Sequence, residues 1–174
     1  MAPDDIWAVG SNSVDVLQVN LIKHWDGQHW TNVDAPNVSP DGNGLQAVSA
    51  TSMDDVWAVG YGNGTSILHW NGSVWSLAPI DSIFPVGNLT GVVGVAAGSA
   101  WAVGPGTIIL HWDGFAWKVV PSPSPGHENY LSGIVSVGPN EAWAVGWVDG
   151  DEGYEALAEH LACPGMLGTR TVTR

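Results

Sequence analysis

The chain has 174 residues, 45% of them hydrophobic and 12% charged, with 23 Gly, 11 Pro and 11 Trp. The charged share is about half the usual ~25%, and the apolar share is large enough to build a core, which excludes a disordered chain. Four basic residues (Lys23, Lys118, Arg170, Arg174) oppose 17 acidic ones, and the net charge of −13 repels phosphate backbones and anionic lipid surfaces. No nucleic acid partner and no membrane insertion are therefore expected. The single Cys163 cannot form an internal disulfide, no apolar run reaches the ~18 residues of a membrane span, and the residues after Met1 do not read as an export signal.

In chain order the sequence is a repeat. The first unit, 4–34, opens on Asp4-Asp5-Ile6 and Trp7-Ala8-Val9-Gly10, and then runs through Lys23-His24-Trp25-Asp26-Gly27-Gln28-His29-Trp30. The second, 45–79, begins with an extra apolar strand, Leu45-Gln46-Ala47-Val48, and repeats both motifs at Trp57-Ala58-Val59-Gly60 and Leu68-His69-Trp70-Asn71-Gly72-Ser73-Val74-Trp75. The third, 89–121, has the same three parts, with Gly98-Ser99-Ala100 in place of the acidic lead. The fourth, 131–161, has the first strand, the tetrapeptide at 143–146 and a strand ending in His160, but no fourth strand. The tetrapeptide tryptophans Trp7, Trp57, Trp101 and Trp143 are 50, 44 and 42 residues apart, a period close to the ~40–50 residues of a propeller blade.

Asp-Gly and Asn-Gly favour a two-residue type I′ turn, which predicts Trp25 opposite Gln28 and Lys23 opposite Trp30, with the histidines on the other face. The chain thus reads as an all-β β-propeller segment of four-stranded antiparallel blades, about three and a half blades long, with 3 + 4 + 4 + 3 = 14 strands. Residues 162–174 carry none of the motif and are expected to be a non-repeat tail, truncated or frame-shifted. An open arc would leave blade edges uncovered, so either self-association or a longer parent chain is expected.

Asp55-Val56-Trp57-Ala58-Val59-Gly60, followed by Ile67-Leu68-His69-Trp70-Asn71-Gly72-Ser73-Val74-Trp75-Ser76 and a Pro-rich link, resembles bacterial kelch-like β-propeller repeats. The resemblance covers about 4–160 and implies a piece of a large secreted or cell-surface protein. It carries no ligand. The hairpin is also similar to the Asp-box of sialidase-like propellers, a structural element; its Asp26-to-Trp30 spacing is one residue short, and no catalytic residue is carried over.

Candidate sites are few. His24, His69, His111 and His160 recur at one position on separate sheets, too far apart to share a metal, and are expected to donate to backbone or to a neighbouring blade's carboxylate. Trp7, Trp57, Trp101, Trp143, Trp25, Trp70, Trp112, Trp30, Trp75 and Trp117 occupy repeat positions and are expected to pack between blades. Trp147 breaks the repeat in what reads as a loop, and with Tyr154 it is the better contact aromatic. The variable links between units, where binding residues concentrate, add Asp34, Asp41, Asn43, Asp81, Phe84, His127, Glu128 and Tyr130. Asp149, Asp151 and Glu155 alternate around two glycines and could hold a hard cation such as calcium; no other cofactor is implied. Nucleophile-elbow, phosphate-loop and zinc-protease motifs are absent. The reading is a non-catalytic interaction or scaffold module for a protein or glycan partner. The alternatives are a carbohydrate-binding lectin and a fragment of a propeller-type glycoside hydrolase.

Overall fold

The computed structural model describes residues 4–62, 64–81, 87–122, 125, 128–139, 141–150 and 153–162. It is all-β, with no helix among the described residues. The first sheet holds β1 (Ile6–Val14), β2 (Leu17–Trp25) and β3 (Trp30–Asn32). The second holds β4 (Gly44–Ser52), β5 (Asp55–Gly62), β6 (Gly64–Trp70) and β7 (Trp75–Leu77). The third adds β8 (Ile80–Asp81) to the edge of β9 (Gly91–Ala96), β10 (Ser99–Gly104), β11 (Ile108–Trp112) and β12 (Trp117–Val119). The last is β13 (Asn129–Gly138), β14 (Glu141–Gly150) and β15 (Gly153–Ala162).

The tetrapeptide explains how the sheets stack. Strand alternation sends Trp57 and Val59 to one face and Ala58 to the other. The large face meets the next sheet, where Trp57 and Val59 join Val92, Ala102, Leu110 and Trp117 in one core. The small face meets the preceding sheet, where Val56, Ala58, Leu68 and Trp75 pack on Trp7 and Ile22. A third core repeats the arrangement, with Trp101 and Val103 against Ala142, Ala144, Leu157 and Leu161. The final glycine has its own reason. A Cβ at Gly60, Gly104 or Gly146 would fall 2.0, 2.4 or 1.8 Å from the carbonyl oxygen of Gly44, Asn88 or Tyr130, where the first strand of the same sheet crosses. Gly10 has nothing within 4 Å, and no strand pairs with that edge of β1 among the described residues.

Two details depart from expectation. The Trp pairs lie directly opposite each other, Trp25 with Trp30, Trp70 with Trp75 and Trp112 with Trp117, across a four-residue loop instead of a two-residue turn. The cause is a side-chain cap. Asp26 Oδ1 accepts the backbone N–H groups of Gln28 and His29 at 2.8 and 2.7 Å, and Asn71 and Asp113 do the same in their loops. Among the described residues there is also a fifteenth strand. The link after the second sheet runs parallel to β12, Ile80 beside Trp117 and Asp81 beside Lys118, and covers an edge that would otherwise be open.

Candidate functional site

The links between sheets come together with the turns joining the second and third strands, on one rim. Asn43 N–H donates to Gln18 O, Leu89 N–H to Gly60 O, Gly106 N–H to Asn129 O, and Asp149 N–H to Glu128 O. Between the first two sheets this rim opens into a pocket of about 670 Å³. Ser13, Val16 and Gln18 line it from the β1–β2 hairpin, Ser39 and Asp41 from the link, and Tyr61 from β5.

Its walls are held from below. Asn43, buried, accepts the N–H groups of Val38 and Ser39 on its Oδ1 and donates its amide to Ser39 O at 2.6 Å, folding the link into a compact turn. Ser39 Oγ then accepts Asp41 N–H. Tyr61 donates its hydroxyl to Gln18 Oε1 at 2.7 Å, and its ring lies where a side chain on Gly44 would stand. Asp41 is the one charged side chain among the lining residues; Ser13, Ser39 and Tyr61 offer hydroxyls, Gln18 an amide, and Val16 an apolar surface.

A second feature on the rim lies in the last sheet. Tyr130 and Trp147 sit opposite each other in the β13–β14 register and stack at 5.7 Å with rings 1° from parallel. Tyr154 meets Trp147 edge-on at 4.9 Å and is strongly exposed. Three of the expected contact aromatics are thus brought together. Trp147 stands within β14, not in a loop, because β14 and β15 run on as one long hairpin to Gly150 and Gly153. Phe84, His127 and Asp151 lie outside the described residues. Asp149 pairs with Tyr154 and Glu155 with Val148, so alternation sends Asp149 and Glu155 to opposite faces of the hairpin. Among the described residues, no three His, Cys, Asp or Glu side chains are grouped as a metal ion would need.

The recurring histidines have structural partners. Each lies against the tetrapeptide tryptophan of the adjacent strand, at centroid distances of 4.4, 4.2, 4.3 and 4.8 Å. His24 pairs with Asp5 at 2.8 Å, His69 with Asp55 at 2.7 Å, and His160 with Glu141. These carboxylates belong to the same sheet, not to a neighbouring one, which corrects the sequence reading. It also gives the acidic lead of the first, second and fourth repeats a structural role. In the third sheet Ser99 takes the carboxylate's place, 3.2 Å from His111 Nε2, and burial pushes the His111 imidazole below its ordinary pKa while Asp113 opposes the shift.

No protein-family model matches the sequence, and neither does any curated protein. Among solved structures the chain is similar to YCF48 bound to a D1 peptide, with a TM-score of 0.60 and 20% identity, over 95% of this chain and 49% of that one. The fold is a β-propeller. The chain spans about half the length of the propeller it matches.

Proposed function

We propose that the chain is a non-catalytic interaction module that holds an extended protein segment on the rim between its first two blades. The observation that carries this reading is the pocket itself. Ser13, Gln18, Ser39 and Tyr61 present hydrogen-bonding groups suited to a peptide backbone, around the single carboxylate of Asp41. A net charge of −13 favours a basic partner. The peptide bound to the structurally similar YCF48 supports the same class of partner. The Trp-Ala-Val-Gly and His-Trp-Asp/Asn-Gly motifs support kelch-like bacterial repeats as the source of the frame.

A displayed library of linear peptides, selected on the immobilised chain, tests this. Enrichment of Lys- or Arg-bearing peptides is expected, with binding weakened roughly tenfold by Asp41→Asn, which corresponds to ~1.4 kcal/mol. Selected peptides that bind Asp41→Asn and Gln18→Ala as well as they bind the original chain would remove the pocket from the proposal. Thermal stabilisation by a sugar panel, with no peptide enriched, would replace a protein partner with a glycan.

A further inference from the structure

The capped loops of the first three blades differ in one group. Asp26, Asn71 and Asp113 stand at the same position, and each side-chain Oδ1 accepts the backbone N–H groups two and three residues on. The residue that follows is glycine in all three, and the fold needs it there. Gly27, Gly72 and Gly114 have φ of 93°, 89° and 95°, and a Cβ on Gly72 would stand 2.9 Å from that of Asp54. The second blade therefore carries Asn-Gly where its neighbours carry Asp-Gly. It is the glycine, not the asparagine, that the loop requires.

Asn-Gly is a reactive pair, because the nitrogen of the second residue can close a ring on the carboxamide carbon of the first and glycine has no side chain to hinder it. Here the groups that this reaction uses are placed for it. Asn71 Oδ1 accepts Ser73 N–H at 3.1 Å and Val74 N–H at 3.0 Å, an arrangement that stabilises the negative charge developing on that oxygen when Cγ is attacked. Among the described residues neither Asn71 Nδ2, the leaving nitrogen, nor Gly72 N–H, the attacking one, has a hydrogen-bond partner to hold it back. Both residues are exposed, so water reaches the ring once it forms. Asn43-Gly44 is the internal contrast. Asn43 is 1% exposed, its Nδ2 donates to Ser39 O at 2.6 Å, and Gly44 is fixed in β4 opposite Tyr61.

We propose that Asn71 is a site of spontaneous deamidation in the folded chain, with water as the co-reactant. Gly72 N bonds to Asn71 Cγ and gives up its proton, the Cγ–Nδ2 bond breaks, and Nδ2 leaves with that proton as ammonia. Water then opens the cyclic imide. Opening at Cγ leaves an aspartate at position 71, which caps the loop as Asp26 and Asp113 cap theirs. Opening at the main-chain carbonyl leaves isoaspartate, with one more carbon in the main chain between Trp70 and Trp75. Either product adds one negative charge to a chain whose net charge is −13.

Mass-spectrometric peptide mapping of the full chain, aged at neutral pH and body temperature both folded and in urea, tests the site. Chymotrypsin, cutting after Trp70, separates Asn71 from Asn63, which lies outside the described residues. The Asn71 peptide should gain ~1 Da in the folded chain. Its rate should stay within roughly tenfold of the rate in urea, while folding slows Asn43 by about a hundredfold or more, since Asn43 reacts only when its loop opens. Protection of Asn71 as strong as that of Asn43 overturns the proposal. Asn71→Asp makes one product directly and should melt at the temperature of the fresh chain. A clearly lower melting temperature overturns the claim that aspartate takes over the cap.

Discussion

The two middle blades and the two outer ones are built from the same motifs, yet among the described residues only the middle pair is covered on both faces. In the second blade Trp57 is enclosed by Trp112 and Trp117, while in the first blade Trp30 has Trp25 as its one ring contact among the described residues and is 45% exposed. A repeat unit therefore has no stability of its own to speak of; what matters is the joint on either side. The largest expected effect tests this directly. Trp57→Ala should cost about 3–5 kcal/mol of unfolding free energy, as for other fully buried large side chains. Trp30→Ala should cost less than about 1 kcal/mol. Chemical denaturation followed by fluorescence compares them, and equal losses would mean that the joints are not where the stability resides.

The tetrapeptide glycine sharpens the contrast at a single atom. Gly104→Ala would place a methyl group 2.4 Å from Asn88 O, a backbone atom that cannot rotate away, and should cost on the order of 1–3 kcal/mol. Gly10→Ala meets open space at a negative φ and should change stability by less than about 0.5 kcal/mol. Thermal melts of the two variants check the pair. A large loss at Gly10 would show that something does cross β1 there in solution.

Sequence made the frame legible because the frame is periodic. The strands around Trp-Ala-Val-Gly and the oddity of Trp147 follow from comparing units, as does the burial of Trp7, Trp57, Trp75, Trp101 and Trp117; Trp30, expected to pack with them, is 45% exposed. The Trp–Trp register did not follow, since it depends on Asp26, Asn71 and Asp113 each capping two N–H groups, which a dipeptide turn rule does not contain. Ile80–Asp81 was unreadable as a strand because two residues carry no period, and only the neighbouring β12 edge gives them a partner. The rim pocket was half legible. Asp41 stood out as a variable-link residue, whereas Ser13, Gln18 and Tyr61 become neighbours of it only through the stacking of two sheets. Asn43, picked from the same link, turned out to hold the loop in shape.

The smallest expected effect concerns the blade in which Ser99 stands at the position that Asp5, Asp55 and Glu141 hold in the others. Burial holds His111 below the ordinary 6.5 of an imidazole, so the unfolded chain binds more protons than the folded one as the pH falls below that value. Stability should therefore fall as pH drops through 6.5 toward the lowered folded value, and it should be unaffected by this group at pH 8. Ser99→Asp would place a carboxylate at the position from which Asp5, Asp55 and Glu141 meet the other three histidines. A carboxylate at that position favours the imidazolium, raises the folded value and removes or reverses the acid loss, at ~1.4 kcal/mol per unit of change. The measurement is the urea midpoint at pH 8 and pH 5.5 in three proteins. The original chain should lose more on acidification than His111→Gln, and Ser99→Asp should lose least. If Ser99→Asp lost as much as the original chain, burial would outweigh the carboxylate, and the recurring acid–histidine pairs would owe their place to geometry alone.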